Sequence, residues 1–299
     1  MKEKILITGY NGSIAQKLNS ILDKKRYEIF FLTTKKKKCS KNIFYWSLTE
    51  KYIDPTALKN VKHIIHLSGY NISNKWNSKN KEIMYDSRVK TSEILYKSCI
   101  KLNIKPKTFI SASAMGYYGF NQSGEKNEKS KCGNDWMARL CDKWEQAADK
   151  FKVINCRVMK MRLSLIMDKN SGILQKINLG FKFRLGIVFG DGSQLFPWIS
   201  IDDVTNFISY TIEEKTVRGT FNLASPHQHS YYDFIKMMQN LQYPNSLLVK
   251  IPKFIIELFL IQKKVLVFNN ISLDTRKLQS TGFKFKSPTI AKLIDAQLQ

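Results

Sequence analysis

The chain opens on a compact apolar block, Ile5-Leu6-Ile7, that stops at Gly9. Gly12 and the small residue Ala15 follow at three-residue intervals, while Ile14, Leu18, Ile21 and Leu22 recur at helical spacing. This pattern predicts a strand, a tight turn and an amphipathic helix. Further strand-like apolar blocks lie at 27–33 (YEIFFLT), 63–67 (HIIHL) and 108–112 (TFISA). Segment 76–102 reads as a long helical stretch with Ile83, Met84, Val89, Leu95 and Cys99 on its apolar positions, ended by Pro106. Segment 136–151 reads as helix and 153–165 as largely strand. Strands that alternate with helices predict a parallel sheet joined by right-handed crossovers. Beyond residue 165 the pattern loosens, punctuated by Gly172, Gly180, Gly186, Gly190 and Gly192.

The fold class expected is α/β: a Rossmann-type doubly wound parallel sheet with a small C-terminal α/β substrate lobe. The expected division is a nucleotide-binding core over 1–165, with a return of about 197–225 to that core, and the smaller lobe mainly over 166–299. The opening strand–glycine–helix unit has a chemical meaning. Gly9 lets the chain turn sharply, Gly12 lets backbone amides approach a pyrophosphate, and Ala15 lets the helix pack on the strand. The helix N-terminus then offers unpaired N–H donors and partial positive charge to the phosphates. Gly9, Asn11, Gly12, Ser13 and Ile14 are therefore expected to bind a dinucleotide.

The end of the second strand bears on which dinucleotide. An acidic residue there hydrogen-bonds the ribose 2′-hydroxyl of NAD. This chain has Thr33-Thr34 and then Lys35-Lys36-Lys37-Lys38. Nothing there repels a 2′-phosphate and several cations attract one, so NADP is preferred over NAD, with Thr34 and Lys35 as contacts. The lysine run is equally compatible with a solvated loop, and the missing carboxylate carries the argument.

Composition changes the picture little. The 299 residues are 43% hydrophobic, enough for a sizeable core, and carry a formal charge of +25. Lysine is spread along the whole chain, without the interleaving of basic and aromatic residues that nucleic-acid recognition favours. A solvated lysine-rich surface is expected, attractive to anionic ligands, and nucleic acid is not an expected partner. Five scattered cysteines, Cys39, Cys99, Cys132, Cys141 and Cys156, show no metal-ligand spacing and read as reduced thiols in a cytoplasm. The four histidines show no metal pattern. The first strand begins almost at Met1, so no secretory or transit segment is expected. No apolar run approaches the roughly 20 residues of a membrane span; segment 254–261, with Glu257 inside it, reads as a packed helix.

Several motifs together resemble the extended short-chain dehydrogenase/reductases, and more narrowly an atypical group of epimerase-family proteins of unknown activity, some labelled cell-division inhibitors. They are Lys75-Trp76-Asn77 leading to Asp86-Ser87-Arg88-Val89, and the run from Ile110-Ser111-Ala112-Ser113 through Tyr117-Tyr118-Gly119. Leu140-Cys141 with Trp144-Glu145, then Arg157 and Arg162, follow. Pro197-Trp198-Ile199-Ser200-Ile201-Asp202-Asp203-Val204, Asn222 to Pro226 and Gly282 to Phe285 complete the set, which covers nearly the whole chain. The chain departs from the group at Ala15, at Ser47 where an aspartate is usual, at Leu163-Ser164, and in 261–270, which lacks a Gly-Glu-Met pattern.

The resemblance implies a second cofactor-contact segment at Leu67-Ser68-Gly69, cofactor contacts from Ser111, and a homodimer. Arg88 and Arg162 are candidates for anion or cofactor contacts or for structural ion pairs, with Arg88 placed among the cofactor residues. Ser113 falls where the superfamily's catalytic serine resides, and Tyr117 or Tyr118 could donate a proton. The usual Tyr-x-x-x-Lys pair is missing: Met137 and Cys141 occupy its positions. Tyr232 and Lys236 have the right spacing but fall in the wrong lobe, by chance. Asp202 and Asp203 would cap the helix that follows them. Two function classes remain: an NAD(P)-dependent oxidoreductase or epimerase on a small hydroxylated or sugar-nucleotide substrate, and a non-catalytic NADP(H)-binding regulator or sensor.

Overall fold

The computed structural model describes residues 2–120 and 122–298. The apolar blocks become strands β1 (Glu3–Ile7), β2 (Tyr27–Thr33), β5 (Val61–His66) and β6 (Thr108–Ala114), and the first amphipathic stripe becomes α1 (Ser13–Ile21). Two strands between them, β3 (Ile43–Ser47) and β4 (Tyr52–Ile53), escape the sequence reading because their burial is partial and interrupted. The sheet has eight strands in the order Gly219–Leu223, Arg157–Leu163, β6, β5, β1, β2, β3, β4. β1 pairs in parallel with both β2 and β5, so the chain order reverses at β1. Ligands of open α/β sheets bind in the crevice at such a reversal.

Two compact units result. One comprises 1–113, 139–161 and 205–220; the other comprises 114–138, 162–204 and 221–299. Residues 205–220 thus return to the first unit, within the expected 197–225, whereas 114–138 go to the second. Residues 114–138 belong to the second unit because Ser123–Lys126 pairs with Asn270–Leu273, and Tyr118 packs with Ala224, Ile271 and Leu273. The core of the first unit is built from the inward faces of its strands and from Leu95, Phe109 and Phe151, the last two stacked 3.8 Å apart. Fully burying such a ring contributes about 3 kcal/mol. A second core gathers Trp198, Phe196, Phe234 and Leu293. Trp76 and Trp198 are both core residues.

The expected helix over 76–102 is three pieces: Ser78–Tyr85, a wider π-helical turn at Asp86–Lys90, and Thr91–Lys101. Segment 153–165 is shorter in strand than expected, because a 3-10 turn runs through Ile154 before Arg157–Leu163 begins. The helix expected at 254–261 forms as Lys253–Leu260, but Phe254 and Leu258 are 71% and 74% exposed, so that face is not packed. The side chains of Phe259, Leu260 and Ile261 lie outside the described residues. Helix Ile201–Glu213 is capped by Ser200 rather than by either aspartate: Ser200 Oγ accepts from the amide of Asp203 and donates to its carboxylate. Asp203 in turn receives the amides of Lys286 and Ser287. Arg157 is structural, its guanidinium donating to the carbonyls of Thr211, Glu214 and Val217. None of the five cysteines forms a disulfide. Among the described residues no helix is long and apolar enough to cross a membrane, and no cluster suits a metal ion.

Candidate functional site

Gly9 takes a φ of +74° and an added Cβ there would stand 2.9 Å from the carbonyl oxygen of Leu67, so only glycine fits. The turn it makes is closed by the amide of Gly12 donating to the Gly9 carbonyl at 2.8 Å. Gly12 is the N-cap of α1 and brings no side chain to it, which leaves the amides of the first turn without a side-chain acceptor. Thr8 Oγ1 accepts the amides of Leu67 and Ser68, each at 3.0 Å, and locks the loop after β5 to the glycine turn. Between these loops lies a crevice of about 690 Å³, lined by Gly9 to Gly12, Thr33, Thr34 and Leu67 to Tyr70. Tyr45 to Thr49, from the unforeseen β3, line it as well. Ser13 and Ile14 open α1 just beyond the lining residues. Ser111 is fully buried, with its hydroxyl donating to the carbonyl of Ala112.

The lysine run forms a short 3-10 turn, Lys36–Lys38. Lys38 Nζ donates to Asn11 Oδ1 at 3.0 Å, so this cation reaches back over the glycine turn. Lys36 lies 4.7 Å over the ring of Tyr45, a lining residue, and 3.4 Å from Glu50. Sequence reasoning named Lys35, whose amide donates to Thr33 Oγ1 at 3.3 Å. The signal for Lys38 was the run itself, but only the turn decides which lysine faces Asn11.

Beneath the crevice, His66 is fully buried, with Nε2 3.0 Å from Thr91 Oγ1. Thr91 Oγ1 donates to the carbonyl of Ser87, so it accepts from the Nε2–H tautomer. Burial, and secondarily the Arg88 cation, push His66 down to about 3. A lowered histidine stabilises the fold above its unfolded value of about 6.5, and that contribution is lost as the pH falls toward the folded value. Between pH 7 and 4 the loss attributable to His66 is about 3 kcal/mol. Urea unfolding at the two pH values should show that drop shrinking by a similar amount in His66→Asn; an unchanged drop would refute the assignment.

Ser113, at the C-terminal end of β6, is buried and donates to Glu145 Oε1 at 2.8 Å. Glu145 rides on helix Trp136–Asp149 and is itself buried. Its Oε2 lies 3.7 Å from Lys160 Nζ, which also bonds Asp149 Oδ2 at 2.8 Å. Serine, carboxylate, lysine and a half-buried carboxylate thus form one chain from the strand end outward. Lys160 carried no sequence signal, since it is one lysine among many.

A family model for the NAD dependent epimerase/dehydratase family matches residues 5–224. The chain belongs to this family. An epimerase family protein of Staphylococcus haemolyticus is 27% identical over 288 residues, covering 95% of each chain, and one of Mycobacterium leprae is 27% identical over 226 residues, covering 75% and 73%. Among solved structures, human epimerase family protein SDR39U1 with NADPH superposes with a TM-score of 0.85 at 22% identity over 98% of each chain. The UDP-glucuronic acid 4-epimerase of Bacillus cereus with NAD gives 0.75 at 17%, covering 98% and 95%. At these identities the two structures establish the shared fold.

Within this epimerase-family fold, Met137 and Cys141 are both buried. Neither side chain can do the work of a tyrosine and lysine that share a helix face. Tyr117 and Tyr118 belong to the second unit and Ser113 to the first. Tyr118 is enclosed: its hydroxyl accepts from Arg162 at 3.0 Å and lies 2.6 Å from Asn222 Oδ1. Burial pushes this phenol up to about 12 despite the Arg162 cation. Arg162 stacks 3.4 Å over the ring of Tyr117 and is buried, so it organises the tyrosine pair. Tyr232 and Lys236 sit on helix Tyr231–Gln242, where Lys236 bonds Gln239.

Proposed function

We propose that this protein is an NADP(H)-dependent oxidoreductase or epimerase for a small hydroxylated or sugar-nucleotide substrate. The observation that carries the catalytic reading is the buried hydrogen bond from Ser113 to Glu145. The residues of the crevice fit a dinucleotide: Gly9 makes the tight turn between strand and helix, and Gly12 caps α1 without a side chain, so the first turn keeps its amides for phosphate. Asn11, Ser13 and Ile14 complete the phosphate turn, and Leu67, Ser68 and Gly69 form the opposite wall, while Ser111, the other expected contact, is fully buried with its hydroxyl bonded to the Ala112 carbonyl. Thr34, Lys35 and Lys38 receive a 2′-phosphate, which no carboxylate from β2 opposes.

The bound nucleotide supplies hydride chemistry. Ser113 Oγ shares its proton with Glu145 Oε1, so it accepts the proton of a substrate hydroxyl as its own passes to the carboxylate. Lys160 holds Glu145 in place and compensates its charge. Tyr117 remains the aromatic-loop candidate for proton donation, because the hydroxyl of Tyr118 is already engaged.

Purified protein with NADPH, assayed across a panel of carbonyl compounds by nicotinamide absorbance, tests this. Consumption is expected, and Ser113→Ala should lower kcat/KM by about 100-fold while leaving NADPH affinity intact. Equal turnover in that variant would remove Ser113 from the chemistry. The second reading, a regulator that binds NADP(H) without turning over, is favoured by Met137 and Cys141 at the lost pair's positions; tight binding with no consumption anywhere in the panel would select it. Cofactor preference has its own test. Lys38→Glu should weaken NADPH about tenfold or more, roughly 1.4 kcal/mol, with little change for NADH. Equal losses for both nucleotides would show that Lys38 does not read the 2′-phosphate.

A further inference from the structure

Arg88 is a half-buried cation with no paired carboxylate among the described residues. It sits in the π-helical turn Asp86–Lys90, a wide turn of the kind that clusters at functional sites. NH1 donates to the carbonyl of Met84 at 3.2 Å and reaches Ser87 Oγ at 3.5 Å. The guanidinium lies 5.2 Å over the ring of Trp144. On its other side is Gly69, a lining residue of the crevice, where an added Cβ would stand 2.9 Å from Cζ.

No hydrogen bond engages Nε or NH2, and no carboxylate pairs with Arg88, among the described residues. The nearest acids are committed elsewhere: Asp86 to Lys90 at 2.7 Å, and Glu145 to Ser113 and Lys160. Burial is the main cause that lowers the guanidinium. Buried charges in proteins are normally paired, and the Nε/NH2 edge of arginine matches two oxygens of a carboxylate or phosphate.

We propose that this edge of Arg88 binds an oxyanion of the substrate, a carboxylate or phosphate, so the substrate is an anionic hydroxy or carbonyl compound. The inference rests on the nucleotide reading above. The cofactor's phosphates already have donors there: the first turn of α1 and, on the far side of β1, Lys38. Arg88 instead lies against the helix Trp136–Asp149 that carries Glu145 to Ser113, on the β5–β6 side. An anion held there places the rest of the molecule beside the serine that handles its proton.

Calorimetric titration of NADPH-saturated protein with oxalate and with inorganic phosphate tests this, with neutral oxamide as control. Oxalate or phosphate should bind saturably and oxamide should not. Arg88→Met should weaken the anion at least tenfold, and Arg88→Lys, which keeps charge but loses the fork, severalfold. NADPH affinity should stay within about threefold in both, and Arg88→Met should unfold in urea no earlier than wild type, since a half-buried charge without a carboxylate partner has been removed. Unchanged anion affinity in Arg88→Met, or no anion binding to the loaded wild type, overturns the proposal. A tenfold loss of NADPH affinity instead assigns Arg88 to the nucleotide and overturns the substrate role alone. Marked destabilisation of both variants makes it a structural cation and also overturns it. Failure of wild type to bind NADPH defeats this inference together with the nucleotide reading.

Discussion

Gly12→Asp is expected to abolish dinucleotide binding, by 100-fold or more, without weakening the fold. Gly12 has a φ of −77° and ψ of 146°, ordinary for any L-residue, and it already stands at the N-cap of α1. Aspartate is a strong N-cap: its carboxylate would accept the first-turn amides and gain about 1 kcal/mol of stability. Those are the amides a pyrophosphate needs, and the new charge would face the phosphates directly. Its Cβ meets only the carbonyl oxygen of Gly9, at 3.1 Å, which a small shift accommodates. Binding and stability should therefore move in opposite directions. Titration with NADPH beside thermal unfolding reads both; retained affinity in a folded variant would show that the nucleotide lies elsewhere.

Lys160→Met should cost about 3 kcal/mol of stability, the scale on which removing one partner of a buried ion pair acts. The lysine side chain is 9% exposed and lies between Glu145 and Asp149. Without it, two carboxylates face each other and one of them is buried. The double variant Lys160→Met/Glu145→Gln should recover most of the loss, because a buried pair replaced as a whole leaves no naked charge. Urea unfolding of the single and double variants measures the coupling. A loss under about 1 kcal/mol, or no recovery, would show that the pair does not hold the carboxylate under Ser113.

The glycine turn was legible because every requirement for it is local. A strand must stop, a residue must adopt positive φ at Gly9, and a helix must begin without a large side chain at Gly12. β3 and its contribution to the crevice were not legible, because Ile43–Ser47 is mostly half-buried and its pattern carries no clean period. The resemblance pointed to Trp144-Glu145 but gave no role, and Lys160 was invisible among the lysines of a highly basic chain.

Local order and covalent spacing were thus enough to determine the strand–helix alternation, the glycine turn and the acid-free end of β2. Tertiary packing alone decided which lysine overhangs Asn11, that Tyr118 is sealed by Arg162 and Asn222, and that no carboxylate pairs with Arg88 among the described residues. The physical reason is burial. A charge or hydroxyl acquires its chemistry from the groups that replace its water, and those groups come from residues far away in the chain: Glu145 for Ser113, Asn11 for Lys38, Trp144 for Arg88.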